Sequence, residues 1–235
     1  MYSFDGRVRY SEIDQNGRLD VSALVNYFQD CGTFQSEDAG VGIEYCKEKG
    51  CAWILCSWQI VINNLPCLGE KISTKTWANE LKGFYGIRNY IMENESGERL
   101  AFASAVWVYL DMERKKPVKI SDEMLNAFEI GEAIQYEWGG RKMNLPRQFE
   151  RKDSFVITRD NLDTNHHVNN GKYIALATRF LPSNFKVAQI KVEYRNEARE
   201  NDIFYPCVAV SDDKIVVMFY NMNDVLYAAI EFMKE

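Results

Sequence analysis

The chain has 235 residues, 46% of them hydrophobic, and 28 Lys and Arg against 34 Asp and Glu give a formal net charge of −6. Its acidic balance lacks the basic surface that phosphate neutralisation demands, which excludes a nucleic-acid binder. No apolar run approaches the roughly 18 residues that span a bilayer. The opening Met1–Arg7 has no apolar stretch or cleavage site of an export signal, so a cytoplasmic protein without stable membrane insertion is expected.

A short strand is predicted at Arg7–Tyr10. Asp20 then reads as the N-cap of a helix with Leu24, Val25, Phe28 and Cys31 at helical spacing, and a second helical segment, Ile43–Lys49, is closed by Gly50. Four strands rich in Trp, Tyr, Val and Ile follow at Ala52–Ile62, Ile72–Ala78, Tyr85–Met92 and Leu100–Leu110, broken by Leu65-Pro66, Lys82-Gly83 and Glu95-Ser96-Gly97. A long segment with Pro117, a helical stretch near Glu123–Phe128, Gly139-Gly140 and Pro146 joins this half to the next. The order of elements then repeats. A strand is predicted at Ser154–Thr158 and a helix over Asn169–Leu181, stopped by Pro182. Strands follow at Val187–Tyr194, Ile203–Val210, Lys214–Asn221 and Val225–Met233. The division expected is residues 1–115, a connector over 116–150, and residues 151–235. Each half is predicted as one long helix wrapped by an antiparallel sheet, an α+β arrangement.

Of the six cysteines, Cys31, Cys46, Cys51, Cys56 and Cys67 lie in the first half and Cys207 in the second, with no CxxC pair. The two histidines, His166 and His167, are adjacent, so zinc-ligand spacing is missing, reduced thiols are favoured, and no metal or cofactor is expected.

The most informative stretch is Leu162-Asp163-Thr164-Asn165-His166-His167-Val168-Asn169-Asn170, because Ile13-Asp14-Gln15-Asn16-Gly17-Arg18-Leu19 is a degraded copy of it. Asp14 aligns with Asp163 and Asn16 with Asn165, but Arg18 stands where His167 does. The segment Ile62-Asn63-Asn64-Leu65-Pro66, matching the one around Glu197, offers no carboxylate. Two copies of which one keeps the imidazole suggest a duplicated unit with a single working site in the second half. A bland reading remains for the motif, since Asp163 and Asn165 are also the residues that form a turn and cap a helix.

These segments together resemble the acyl-ACP thioesterase family. In the first half the likeness runs through Arg9–Asp14, Asn26–Asp30, Phe34–Glu37, Val41–Ile43, Trp53–Ile60, Arg88-Asn89-Tyr90 and Trp107–Asp111; in the second, through Arg159–Asn170 and Glu193–Glu197. The resemblance implies two fused hotdog domains, hydrolysis of fatty acyl thioesters of acyl carrier protein, and a bacterial member without a transit peptide. It transfers the active residues to Asp163, Asn165, His167 and Glu197. Many plant relatives have Cys after that glutamate; here Ala198 stands there, which excludes a thiol nucleophile at that position.

Thioester hydrolysis needs a base for water and a donor for the oxyanion. A histidine side chain, ordinarily titrating near pH 6.5, and a carboxylate suit the first role. Glu197 could instead attack the thioester directly, although the chain offers no obvious group to resolve an anhydride. Asn165 and the helix start near Val168-Asn169 suit the oxyanion role, with Asp163 orienting the motif and His166 a bystander. Candidate lining for an acyl chain is Leu24, Phe28, Phe34, Trp53, Leu55 and Trp58, although for any single one of them ordinary core packing is the stronger reading. Arg114-Lys115-Lys116 with Lys119, and Arg147 with Arg151-Lys152, are candidate docking patches for an acidic carrier. Three alternatives stay open. They are an acyl-CoA thioesterase on the same fold, a non-catalytic acyl-binding protein, and a dehydratase, which lacks support in a His-Gly motif. Self-association into a homodimer is also left open.

Overall fold

The computed structural model describes residues 1–235. Strand β1 (Tyr2–Arg7) alternates half-buried Tyr2, Phe4 and Gly6 with exposed Ser3, Asp5 and Arg7. Phe4 stacks on Tyr27 at 5.9 Å and meets the edge of Phe34 at 5.4 Å, which fixes the face that turns inward. The strand expected at Arg7–Tyr10 therefore lies earlier. Glu12 accepts the Arg9 N–H at 2.8 Å and donates its own N–H to the Arg9 carbonyl at 3.1 Å, winding Tyr10–Glu12 into a 3-10 turn.

Helix α1 (Val21–Asp38) starts where Asp20 accepts the Ser22 N–H at 2.7 Å, and Leu24, Phe28 and Cys31 are fully buried along its inner stripe. Next come α2 (Ile43–Glu48), closed by Gly50 at φ 65°, and the strands β2 (Cys51–Ile62), β3 (Lys71–Lys82), β4 (Tyr85–Asn94) and β5 (Arg99–Asp111). Strand β6 (Lys116–Pro117) pairs with β5, and α3 (Asp122–Asn126) is capped by Ser121. The second half has β7 (Glu150–Arg151), β8 (Phe155–Val156), a 3-10 turn at Arg159–Asn161 and α4 (Asn170–Thr178). It ends in β9 (Val187–Tyr194), β10 (Ile203–Val210), β11 (Lys214–Tyr220) and β12 (Leu226–Lys234).

Two further expectations need correction. The predicted strand Ser154–Thr158 shrinks to Phe155–Val156 because Thr158 opens the next 3-10 turn, its N–H and hydroxyl both engaged by the Asn161 side chain. The predicted helix Asn169–Leu181 stops at Thr178, since the Phe180 and Leu181 N–H groups bond to the carbonyls three residues back and Pro182 has no N–H to continue. At 9 residues α4 is half the 18 of α1, so only the first half has a long helix.

By internal contacts the chain divides into two compact units, residues 1–56 with 60–138, and residues 57–59 with 139–235. The segment expected as a connector divides between them after Trp138. In the first unit the strand order is β1-β3-β4-β5-β2, with α1 against β3 and β1. In the second it is β7-β10-β11-β12-β9, with β8 also on β10 and α4 against β12. Element for element this is one order used twice, in antiparallel pairs, and each unit is a hotdog fold. No helix is long and apolar enough to cross a membrane.

Candidate functional site

An antiparallel bridge between Leu162 and Val168 closes the five-residue loop of the second motif. The Asp163 N–H donates to the His167 carbonyl at 2.8 Å. The Asp163 Oδ1 accepts the backbone N–H of Asn165 at 2.8 Å and of His167 at 3.2 Å. One carboxylate thus holds both ends of the turn, as an Asx turn does. His166 takes φ 59° at the apex, exposed, and this turns the following His167 inward with a side chain only 15% exposed. The Asn165 side chain is exposed.

Glu197 lies in the loop that follows β9, rather than on the strand. That loop is anchored on both sides. The Val168 N–H donates to the Ala198 carbonyl at 2.8 Å, Asn196 Nδ2 to the Leu226 carbonyl at 2.7 Å, and the Arg195 N–H to the Tyr227 carbonyl at 2.8 Å. From beneath, Tyr173 of α4, buried between Phe204 and Tyr194, is in hydrogen-bond contact with the Ala198 backbone. Burial pushes its phenol far up, so it stays neutral. The result is that Glu197 Oε2 stands 3.2 Å from His167 Nε2. Ala198 is fully buried beside them.

Arg199 completes the cluster, and sequence reasoning missed it. Its Nη2 donates to Glu197 Oε1 at 2.9 Å and lies 3.3 Å from His167 Nε2. Its own backbone N–H is held by Asp202 Oδ2 at 2.8 Å. The available signal was its position two residues after Glu197, which in an extended segment puts both side chains on one side.

The first copy reproduces this scaffold. The Asp14 Oδ1 accepts the N–H of Asn16 at 2.8 Å and of Arg18 at 3.1 Å, Ile13 bridges Leu19, and Gly17 takes φ 74° where His166 takes 59°. Leu19 donates to the Pro66 carbonyl at 2.8 Å as Val168 does to Ala198, which sets Leu65 in the place of Glu197. The Arg18 guanidinium is spent on the Leu65 carbonyl at 2.8 Å and Asn64 Oδ1 at 3.1 Å. Asn16 differs from Asn165 as well, since its amide is turned back onto Asp14 Oδ2 at 3.2 Å.

Asn169 caps α4, its Oδ1 accepting the Gly171 N–H at 2.9 Å. The N–H groups of Val168, Asn169 and Lys172 also have protein acceptors, so the helix start offers an oxyanion fewer open donors than its sequence suggests. Leu24, Phe28 and Trp58 are fully buried. Trp53 is half-buried against Tyr109, with ring centroids 5.0 Å apart. Of the basic patches, Arg151 pairs with Asp224 and Lys152 with Glu150, while Arg114 and Lys115 sit on the exposed turn after β5, with Arg114 3.9 Å from Asp111, and exposed Lys116 opens β6. No three His, Cys, Asp or Glu side chains converge as metal ligands would.

Two family models match the chain: the acyl-ACP thioesterase N-terminal domain over residues 2–128 and the acyl-ACP thioesterase C-terminal domain over residues 145–224. An acyl-[acyl-carrier-protein] hydrolase of Cuphea viscosissima is 26% identical over 225 residues, covering 88% of this chain and 54% of its own. A palmitoyl-acyl carrier protein thioesterase of Gossypium hirsutum is 25% identical, covering 90% and 55%. The chain thus spans about half the length of the curated relatives it matches. Among solved structures, an acyl-ACP thioesterase from Bacteroides thetaiotaomicron superposes with a TM-score of 0.89 at 21% identity, covering 99% of this chain and 97% of that one. The 12:0-ACP thioesterase from Umbellularia californica gives 0.89 at 16%, covering 100% and 96%. At these identities the structural likeness concerns the fold.

Proposed function

Because the chain belongs to the acyl-ACP thioesterase family, we propose that it hydrolyses the thioester of a fatty acyl chain on acyl carrier protein, releasing the free fatty acid. The observation that carries the reading is the His167–Glu197 pair at 3.2 Å, built in the one motif copy that keeps both groups. Water held at this pair loses a proton to it as the oxygen attacks the carbonyl carbon, and the carbonyl electrons move onto oxygen. The Asn165 amide, not folded back on its own turn as Asn16 is, donates to that oxyanion. Collapse breaks the C–S bond, and the proton passes from the pair to the leaving sulfur. Asp163 acts on the backbone, by holding the turn that aims His167.

The first unit, with Arg18 and Leu65 in the two catalytic positions, is proposed to have no hydrolytic site of its own and to serve the acyl chain, with Leu24, Phe28 and Trp53 as lining. For the carrier, the proposed contact is the exposed run Arg114-Lys115-Lys116. The test is steady-state hydrolysis of C4 to C18 acyl groups on carrier protein and on CoA, with His167→Ala and Glu197→Ala beside the parent chain. Carrier-selective turnover lost in both variants is expected. CoA esters turned over equally well would replace the carrier by CoA, and binding without turnover would leave an acyl-binding protein.

A further inference from the structure

The Arg199 side chain is 61% exposed, yet it is fixed by two of the groups that the proposed chemistry uses. A guanidinium has donors and no acceptor, so an Arg199 N–H given to His167 Nε2 at 3.3 Å needs that nitrogen unprotonated, whereas Glu197 Oε2 at 3.2 Å would suit a protonated one. A neutral imidazole accepting at Nε2 has its proton on Nδ1. On the other side of the same nitrogen stands Glu197 Oε2 at 3.2 Å, an acceptor with no hydrogen between them in that tautomer. That carboxylate is kept in place by its other oxygen, which takes an Arg199 N–H at 2.9 Å. Other charged groups lie about this cluster in the second unit. Asp163 binds the His167 N–H from the motif side, and Asp202 binds the Arg199 N–H from the far end of the loop. Those two carboxylates bind backbone N–H groups, and the imidazole itself meets Glu197 and Arg199.

We infer that Arg199 is a positioning residue of this site: it holds the His167 proton off Nε2 and fixes Glu197 so that Oε2 faces the nitrogen that receives the proton of water. Before reaction the Nε2 lone pair is directed outward by a fixed cation. Water takes over that lone pair by displacing the Arg199 contact, at 3.3 Å the longer of the two that the guanidinium makes. When Nε2 gains its proton, Glu197 Oε2 is already there to accept it, and Arg199 keeps its hold on Oε1. The cation thus sorts the two states of the imidazole without touching substrate. In the first copy the arginine stands in the motif itself, at position 18, and binds a carbonyl and an amide oxygen, so this three-group arrangement occurs once.

The inference rests on the proposed hydrolysis for its purpose but not for its first test. In protein labelled with ¹⁵N-histidine and carrying His166→Asn, which leaves one histidine, long-range ¹H–¹⁵N spectra at mildly alkaline pH identify the protonated ring nitrogen. Nδ1–H is expected, against the Nε2–H form that free histidine prefers. Arg199→Gln is expected to shift the ring to Nε2–H. It should also lower kcat on the acyl thioester by about 10- to 100-fold with little change in KM, and Arg199→Lys should give an intermediate tautomer ratio and rate. Nε2–H in the parent chain, or an unchanged tautomer in Arg199→Gln, overturns the inference, as does an effect confined to KM. A tautomer that shifts as expected in a protein that hydrolyses no acyl thioester upholds the role of Arg199 and sinks the reading of function instead.

Discussion

Replacing Asp163 separates a turn-forming carboxylate from a chemical one. Its Oδ1 accepts two backbone N–H groups, at 2.8 and 3.2 Å, and these bonds set the path from Asn165 to His167. Hydrogen bonds to a charged acceptor contribute about 1.5–3 kcal/mol each when well shielded, and less where solvent reaches them, so Asp163→Ala should destabilise by about 1–2 kcal/mol. The larger effect is on catalysis. Without the turn, His167 is no longer held 3.2 Å from Glu197, and a misplacement of about 1 Å lowers kcat/KM on the order of 100-fold. Asparagine retains a side-chain oxygen at the same reach, so Asp163→Asn should keep the turn and most of the activity. Asp14 provides the control: it makes the same two bonds, at 2.8 and 3.1 Å, in the copy without imidazole. Asp14→Ala should therefore lower stability by a similar amount and leave kcat intact. The assay is kcat/KM on acyl carrier protein, read beside urea midpoints for all three variants. An Asp163→Asn protein as inactive as Asp163→Ala would refute the reasoning, because the charge, and not the turn, would then be what the chemistry needs.

Asn169→Ala removes the cap of α4 and should cost about 1 kcal/mol, as should Asp20→Ala at the head of α1; urea melts decide, and a null effect at both would mean that packing alone sets these helix starts. Phe28→Ala empties a fully buried site against Tyr90, destabilising by about 3–5 kcal/mol. If Phe28 also lines the acyl chain, the chain-length profile moves toward longer substrates in the milder Phe28→Leu, and an unmoved profile assigns it to the core alone. Burial opposes the charge of Glu193, but Arg195 at 2.9 Å and the Met143 N–H at 2.8 Å outweigh it and hold the carboxyl below its usual range. A lowered folded-state value gives stability that is present above the ordinary carboxylate range and lost as pH falls through the lowered one. Glu193→Gln should therefore be less stable by about 1–2 kcal/mol at pH 7, with the gap to the parent closing in acid. A gap that persists in acid would deny the ionic part.

What the sequence made legible is what short-range chemistry writes into it. The cap Asp20 and the turn Asp163–His167 are settled within four residues, and β9 and β10 match their expected bounds because turn residues flank them; Asn169, expected as the first helical residue, is the cap one place before it. Some missed features depend on partners far along the chain: β1 is chosen over Arg7–Tyr10 by Phe4 meeting Tyr27 and Phe34. The early end of α4 is local, a 3-10 turn before Pro182 that the apolar run of Phe180 and Leu181 masks. Arg199 reaches His167 across 32 positions, a contact that no periodicity announces.

The duplication supplies what spacing could not, by dividing the motif into scaffold and chemistry. The aspartate that closes the turn, the positive-φ apex, the bridge after it and the helix cap occur in both units with nearly the same distances. A feature that persists where no imidazole exists to be aimed is explained by folding, and this assigns Asp163 and Asn169 to the backbone. The copies part at four places: histidine against Arg18, Glu197 against Leu65, an Asn165 amide not folded back against one bound to Asp14, and a guanidinium that binds the carboxylate against one that binds a carbonyl. Three of these fall on His167, Glu197 and Asn165, the proposed base, its carboxylate and the proposed oxyanion donor. The fourth differs together with them, so the same comparison that returns Asp163 to the scaffold enrols Arg199 in the site.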